Sequence, residues 1–461
     1  MSASAVVPIL AQNACDLEAV DDGPTAALVR QRLNTMGPLS MLFYQQPLEP
    51  VSGKGVWLYD ADGKAYLDVY NNVPVLGHCH PAVVEAVGQT MATLNTHTRY
   101  LNRAMHDYSE RLLDRIGMLD GRLVFTCSGS EANDLAIRLA QKCTGKTGVI
   151  VSEAAYHGNT HLVTQVSPSS YKTGGVPDWV EVLNLDPLLA LTEPDRELIP
   201  ELIRPLLNQL DQAIERLNQR GYGCAALLAD SVFSSDGVVT HPEGFLTPLA
   251  ERVQQQGGWW IADEVQPGFG RCGDSFWGFQ HHQQRGANPI APDVVTLGKP
   301  MGNGFPVAGL VASQAAFAEL NQDIGYFNTF GGSHAAVAAA TAVLNVLERD
   351  NLQQQAQDVG HHLKTGLQRL CERLPTAQRC RGVGLFYGLD LQWNDRPDAD
   401  DATFTSAVIN HLRHQGVLIG AAGKAGNTLK IRPSLCFERQ HAEHFLTALE
   451  SALEDVGASA G

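Results

Sequence analysis

The sequence predicts an α/β architecture, a mostly parallel sheet between helices followed by a smaller α+β C-terminal domain, and three observations carry that prediction. Between residues 123 and 313, short apolar runs of strand length alternate with polar or glycine-containing turns and then with helical patterns. The runs are apolar without alternating, as strands buried on both faces are. After about residue 340 the pattern changes to helices with short strands near residues 384–391 and 429–431.

A chain of 461 residues supports two or three packed units, and 44% apolar with 18% charged residues is ordinary for a folded globular protein. The organisation expected is an N-terminal arm and hairpin segment over residues 1–65 packing with the small domain, a large domain over 66–340 and a small C-terminal domain over 341–461. Residues 1–50 carry no clear period and are expected to be irregular, an arm laid on a partner subunit. Residues 56–59 and 65–68 flank Asp62-Gly63, a dipeptide that supplies the positive φ angles of a tight hairpin turn. The core strands are expected at residues 123–126, 149–151, 225–229, 259–262, 294–297 and 307–311. At the other end, Ala442, Phe445, Leu446, Leu449 and Leu453 mark one helical face, with Glu443, Glu450 and Glu454 opposite.

The net charge of −16 argues against a nucleic-acid partner, since phosphate backbones are bound by clustered Lys and Arg. The first basic residue is Arg30 and no apolar run reaches the roughly 18 residues of a membrane span, so a cytoplasmic, non-membrane protein is expected. Nine cysteines with no C-x-x-C pair read as reduced thiols. His78-Cys79-His80 is the one stretch with metal-ligand types, but consecutive residues in a loop cannot all turn onto one ion, so no metal is expected.

Five of the core runs are followed closely by polar residues: Ser128 to Glu131, Ser152-Glu153, Asp230, Asp263-Glu264 and Lys299. In an open α/β sheet, ligands bind outside the carboxyl ends of the strands, so these groups should converge on one crevice. Ser128-Gly129-Ser130 opens a helix whose inner face would hold Ala132, Leu135, Ala136 and Leu139. Free N–H groups and the positive dipole end favour a phosphate there, Gly129 permits close approach and Ser130 adds a hydroxyl; a plain Ser N-cap is the simpler alternative. Asp263 and Lys299 end two strands and aim an acid and an amine at one space. A salt bridge would explain them singly, but a phosphate cradle, a desolvated amine and a buried acid together are what pyridoxal phosphate needs. Tyr156 follows another strand and can stack on its ring. Gly268-x-Gly270-x-x-Gly273 also matches a dinucleotide fingerprint, but it does not sit between a strand and a helix, so that reading is rejected.

With these residues in place the sequence resembles the class III aminotransferases, within the fold-type-I pyridoxal-phosphate enzymes, over about residues 50–455. The resemblance rests on Ile261-Ala-Asp-Glu-Val-Gln266, Gly268-Phe-Gly-Arg-Cys-Gly273 and Pro292-Asp-Val-Val-Thr-Leu-Gly-Lys299. It implies that Lys299 carries the cofactor as a Schiff base, Asp263 pairs with the pyridine nitrogen, Val265 packs behind the ring and Gln266 lies near its phenolic oxygen. Gly129 and Ser130 then hold the phosphate, Tyr156 stacks, and Thr329 reaches the cofactor of the other subunit. A homodimer with shared active sites follows, with a tetramer as a further association.

The likeness extends to a branch that contains both alanine-glyoxylate aminotransferases and phospho-lyases. Transfer of an amino group from a primary amine or amino acid to a keto acid such as pyruvate or glyoxylate is the first expectation. The alternative is elimination of ammonia and phosphate from a small phosphorylated or phosphonate amine. Two departures bear on the choice. Lys430 stands where many aminotransferases have a carboxylate-binding Arg, and Asp230-Ser231 replaces a common Glu-Pro pair. Arg99, Lys430 and Arg432 are the candidate contacts for an anionic substrate.

Overall fold

Apolar strands without alternation require cover on both faces, and the central sheet has it. In the computed structural model, which describes residues 14–16, 24–191, 200–283, 290–393 and 400–458, seven strands form this sheet. Their spatial order is Gly121–Thr126, Ala308–Ser313, Val294–Leu297, Trp259–Asp263, Cys224–Asp230, Gly148–Ser152 and Val180–Leu183. Ala308–Ser313 is antiparallel to both neighbours, and the other pairings are parallel. Successive side chains enter opposite cores. Ala226, Leu228, Ile261 and Val294 meet Leu135, Ala136 and Leu139 of helix Gly129–Thr144, whereas Leu227, Ala229, Trp260 and Val295 enter the core on the other face. Each large apolar side chain so buried contributes roughly 1.5–3 kcal/mol.

All six expected runs are strands. The seventh, Val180–Leu183, lies at the sheet edge and is interrupted by Glu181, whose carboxylate takes Arg216 at 2.6 Å and Arg220 at 2.9 Å. Four residues with an acid among them do not read as a core strand. The expectation of an irregular N-terminal stretch is corrected by helix Pro24–Met36. Proline at its first position forgoes an N–H that would lack a partner there, and Ala26 and Val29, three residues apart, are buried.

The hairpin forms from Trp57–Asp60 and Ala65–Asp68. Gly63 has φ +80°, and Asp60 Oδ1 accepts from the N–H groups of Asp62 and Lys64 at 3.1 and 2.9 Å. Ala65–Asp68 also pairs with Val417–Leu418, which ties the hairpin to the C-terminal part of the chain. There an antiparallel sheet orders Ala377–Val383, Phe386–Leu391, Thr428–Ile431 and Gly420–Ala422, packed with helices Leu352–Arg373, Asp401–His414 and Arg439–Ala458. The last helix buries Ala442, Phe445, Leu449 and Leu453, the face expected, with Leu446 half-buried. Among the described residues no helix is long and apolar enough to cross a membrane.

Two arginines join the two sheets' surroundings. Fully buried Arg271 donates to the carbonyls of Leu385 and Pro433, and Arg381, paired with Asp390 at 2.5 and 2.6 Å, donates to Gly237 O at 3.1 Å. These contacts set the strand Thr428–Ile431 beside the carboxyl rim of the central sheet.

Candidate active site

Parallel pairing places the strand ends in register, Asp230 opposite Asp263 and Asp263 opposite Thr296. Lys299 opens the short 3-10 turn that follows Val294–Leu297. The rim opens on a cleft of about 300 Å³ lined by Gly129, Ser130, Tyr156, Asp263, Val265, Gln266 and Lys299, among others.

One wall is the start of helix Gly129–Thr144. Ser128 caps it by accepting from Glu131 N–H at 3.3 Å, while the Glu131 carboxylate accepts from Cys127 N–H at 2.8 Å. Thus Ser128 is the N-cap, and the helix N-terminus also faces the cleft. A Cβ on Gly129 would lie 2.8 and 2.9 Å from the Val265 methyls, so only glycine lets the helix start come this close to the strand end. Gly158, at φ +144°, presses equally closely on Ser130, whose Oγ accepts from Asn159 N–H at 3.1 Å.

The acid lies against the same helix. Asp263 is buried, and three donors fix its carboxylate: His157 Nδ1 at 2.7 Å and Asn133 Nδ2 at 2.9 Å on Oδ2, and Val265 N–H at 3.0 Å on Oδ1. Thr296 Oγ1 donates to Asn133 Oδ1 at 2.7 Å, which aims the amide nitrogen at Asp263. Such an acid is oriented and stays available to a positive charge.

Lys299 is the amine of the site. Burial, then the Arg432 charge, hold it below the usual lysine range, while Asp263 and Asp230 pull the other way. Lys430 and Arg432 are buried behind the cleft, and Lys430 is driven well down by burial and by Arg432. Arg432 donates to Gln266 Oε1 and lies 4.5 Å from the Tyr70 ring centre, and its Nε is buried without a partner. Gln266 in turn donates to Ser234 Oγ at 2.6 Å. Among the described residues no carboxylate forms a salt bridge with Lys430 or Arg432. Asp230 is pushed up by burial and by Asp263.

The structure therefore brings together Gly129, Ser130, Tyr156, Asp263, Val265, Gln266 and Lys299, with Lys430 and Arg432 behind them. It does not bring Arg99 or Thr329 into this cleft: both are exposed, Arg99 stacking 3.9 Å from the Phe327 ring centre. Thr329 sits in a loop pinned to the helix start by Asn328 Nδ2 donating to Glu131 Oε2 at 2.9 Å. His157, Asn133, Thr296 and Ser234 were not singled out from the sequence. His157 and Asn133 flank recognised positions, in Tyr156-His157-Gly158 and Ser130-Glu131-Ala132-Asn133, but their partners come from distant strands. His78 spends its Nε2 on Asp68 Oδ2 at 2.7 Å, and Cys79 is exposed.

A phosphorylated pyridine aldehyde fits this donor set. The helix start offers unpaired N–H groups and a hydroxyl for the phosphate, an oriented carboxylate serves a protonated ring nitrogen, and a buried amine serves the aldehyde. The comparisons agree. The Aminotransferase class-III family profile matches residues 44–453. An ethanolamine-phosphate phospho-lyase homolog of Caenorhabditis elegans is 35% identical, covering 92% of this chain and 93% of its own length. An alanine-glyoxylate aminotransferase 2-like protein of Drosophila melanogaster is 34% identical, covering 93% and 87%. A phospholyase from Arthrobacter, solved in complex with phosphoethanolamine, superimposes with a TM-score of 0.85 at 41% identity, covering 93% of this chain and 99% of that one. The chain thus belongs to the class III aminotransferase family, with the fold-type-I architecture and pyridoxal phosphate as its cofactor.

Proposed function

We propose that this enzyme is a lyase that removes ammonia and phosphate from a small phosphorylated primary amine. The observation that carries this reading is a pair of basic groups, Lys430 and Arg432, buried near Lys299, with Asp230 and Asp236 only partly offsetting the burial of Lys430. Lys430 and Arg432 are both buried, among the described residues neither has a salt bridge, and Arg432 Nε has no hydrogen-bond partner. An anionic ligand would give Arg432 Nε a partner and draw Lys430, held well below its usual range, toward its charged form. A lysine is a point charge that suits a phosphate, whereas the flat two-pronged grip of a carboxylate belongs to arginine. A dianionic phosphate monoester balances this wall better than one carboxylate does. The 41% identity to a phospholyase that binds phosphoethanolamine supports the same reading.

Gly129 and Ser130 would hold the cofactor phosphate, Tyr156 and Val265 the two faces of its ring, Asp263 its nitrogen and Lys299 its aldehyde carbon. When bound, the cofactor accepts the electron pair left on the carbon that loses a proton. Lys299 Nζ, held below the usual lysine range by burial and by Arg432, takes the proton from the carbon bearing the substrate nitrogen. Lys430 and Arg432 bind the phosphate on the neighbouring carbon and stabilise it as it leaves. Retention of the proton and its return by Lys299 to the cofactor would give transamination, the reading that the Drosophila relative's name favours.

The active unit we propose is a homodimer. Leu94, Tyr100, Leu101, Ile324, Tyr326, Phe327 and Phe330 are large apolar side chains left exposed, Leu101 at 95%, on two loops that touch through Arg99, His97 and Phe327. That surface carries Thr329 and suits a second copy reaching into the cleft.

The test is to incubate the holoenzyme with phosphoethanolamine and no keto acid. Continuous, equimolar release of ammonia and phosphate is expected. One turnover without phosphate, reset by pyruvate or glyoxylate, would overturn the lyase reading in favour of transamination.

A further inference from the structure

Arg271 sits in the core with no exposure to solvent, in the loop that follows the strand carrying Asp263. Among the described residues no carboxylate forms a salt bridge with it, and its Nε and Nη2 are buried without partners. One nitrogen makes all its side-chain hydrogen bonds: Nη1 donates to Leu385 O at 3.2 Å and to Pro433 O. A buried guanidinium without a counter-ion weakens a fold that an apolar side chain of similar size would not. Its distinctive act here is to hold two carbonyls from one point.

Those carbonyls lie on either side of a question of placement. Leu385 is in the turn between strands Ala377–Val383 and Phe386–Leu391, where Gly384 has φ +53° and a Cβ would lie 2.3 Å from Arg271 O. The turn can therefore press on the Arg271 backbone, and Leu385 N–H donates to Arg271 O at 3.0 Å. Leu385 and Arg271 bond in both directions, which fixes Nη1 in space. Pro433 directly follows Arg432, beyond the last paired residue of its strand, Ile431. Arg432 N–H donates to Val69 O at 2.8 Å, and Leu435 N–H donates to Val75 O at 2.7 Å. Between these two bonds Pro433 has no N–H to give, and Arg271 takes its carbonyl. The Arg432 side chain meets Gln266 Oε1 and the Tyr70 ring, with Nε unpaired, so the place of its guanidinium follows that of its backbone.

We propose that Arg271 is a positioning residue for the substrate anion: by tying Pro433 O to Leu385 O it fixes the backbone on which Arg432 stands, and so sets the affinity of the cleft for a phosphate without touching it. The proposal rests on Arg432 being the contact for the substrate phosphate. Small displacements of such a group are costly, since charge-assisted hydrogen bonds to an anion need their donors aligned.

The experiment is equilibrium dialysis of the cofactor-loaded enzyme against radiolabelled inorganic phosphate, with the visible absorbance of the cofactor recorded on each sample. Arg271→Met should weaken phosphate binding roughly 10-fold or more while the cofactor band stays in place. Both bonds come from Nη1 alone, so a lysine ammonium, a point donor, can stand in for it. Arg271→Lys should therefore recover affinity to within about threefold of wild type. Wild-type affinity in Arg271→Met, equal weakening in the two variants, or loss of the cofactor band in step with phosphate binding would each overturn the proposal, the last by showing that Arg271 supports the whole domain junction. Arg432→Ala separates this from the reading beneath it: unchanged phosphate affinity in that variant would remove Arg432 as the anion contact, whatever Arg271 does.

Discussion

A single side chain in this site has its chemistry set by neighbours that the chain supplies from far away. Lys299 alone would be a solvated cation; enclosed, and beside Arg432, it is held below its usual range, which makes it a readier proton acceptor than a surface lysine. Lys299→Ala should remove the visible absorbance acquired on adding pyridoxal phosphate and lower turnover by roughly 10³-fold or more. Absorbance and activity that survive the change would refute the assignment. Asp263 has a finer test. His157→Leu deletes a charge-assisted hydrogen bond worth about 1.5–3 kcal/mol but leaves Asn133 and Val265 N–H in place. Turnover should fall roughly 10- to 100-fold, with the fold intact by circular dichroism. An unchanged rate would show that Asp263 needs no help in keeping its orientation.

At the level of the element, the helix Gly129–Thr144 is a positioned dipole, and what positions it is the absence of a side chain. Gly129→Ala would drive a methyl into Val265, an overpacking that costs about 1–3 kcal/mol, and the helix start must retreat or Val265 must shift. Cofactor affinity, measured by fluorescence titration of the apoenzyme, should weaken roughly 10- to 100-fold; undiminished affinity would place the phosphate elsewhere. This helix was legible in the sequence because three signals coincide there: an apolar strand, a capping serine and a helical apolar face. The core strands were legible for a related reason, that burial on both faces leaves short apolar runs, and turn residues bound them at strand length. Val180–Leu183 was not, since an edge strand tolerates Glu181, and helix Pro24–Met36 was not, since few of its residues face a core. The site divided in the same way. Lys299, Asp263 and the helix start sit at strand ends and announce themselves, whereas Asn133, Thr296 and Ser234 act through contacts between elements far apart in sequence.

Across the whole molecule, two features are properties of no one element. The first is the exposed apolar surface of the loops around Leu101 and Phe330. If the proposed dimer forms there, Leu101→Glu with Phe330→Glu should shift the protein to a monomer by sedimentation and take activity with it, because Thr329 rides on that surface; an active monomer would show the cleft is complete in one chain. The second is the store of buried acid beneath the cleft. Glu264 is fully buried, and burial pushes its carboxyl up to about 7 even though Ser231 Oγ and the N–H groups of Gly278 and Phe279 donate to it. Asp236 is pushed up to about 6 by burial in the same way. An acid whose folded pKa exceeds its unfolded value near 4.5 binds more protons folded than unfolded between those two values. Stability therefore falls as pH rises through that window, from 4.5 to about 7, and is flat above it as far as this group is concerned. For Glu264 the drop is on the order of 3 kcal/mol at most. Glu264→Gln cannot titrate, so the stability of wild type relative to the variant, read from urea unfolding at several pH values, should decline across that window and then level off. A constant difference would mean that the three donors keep Glu264 ionised throughout, so that its negative charge, rather than its proton, is what the rim strands are built around.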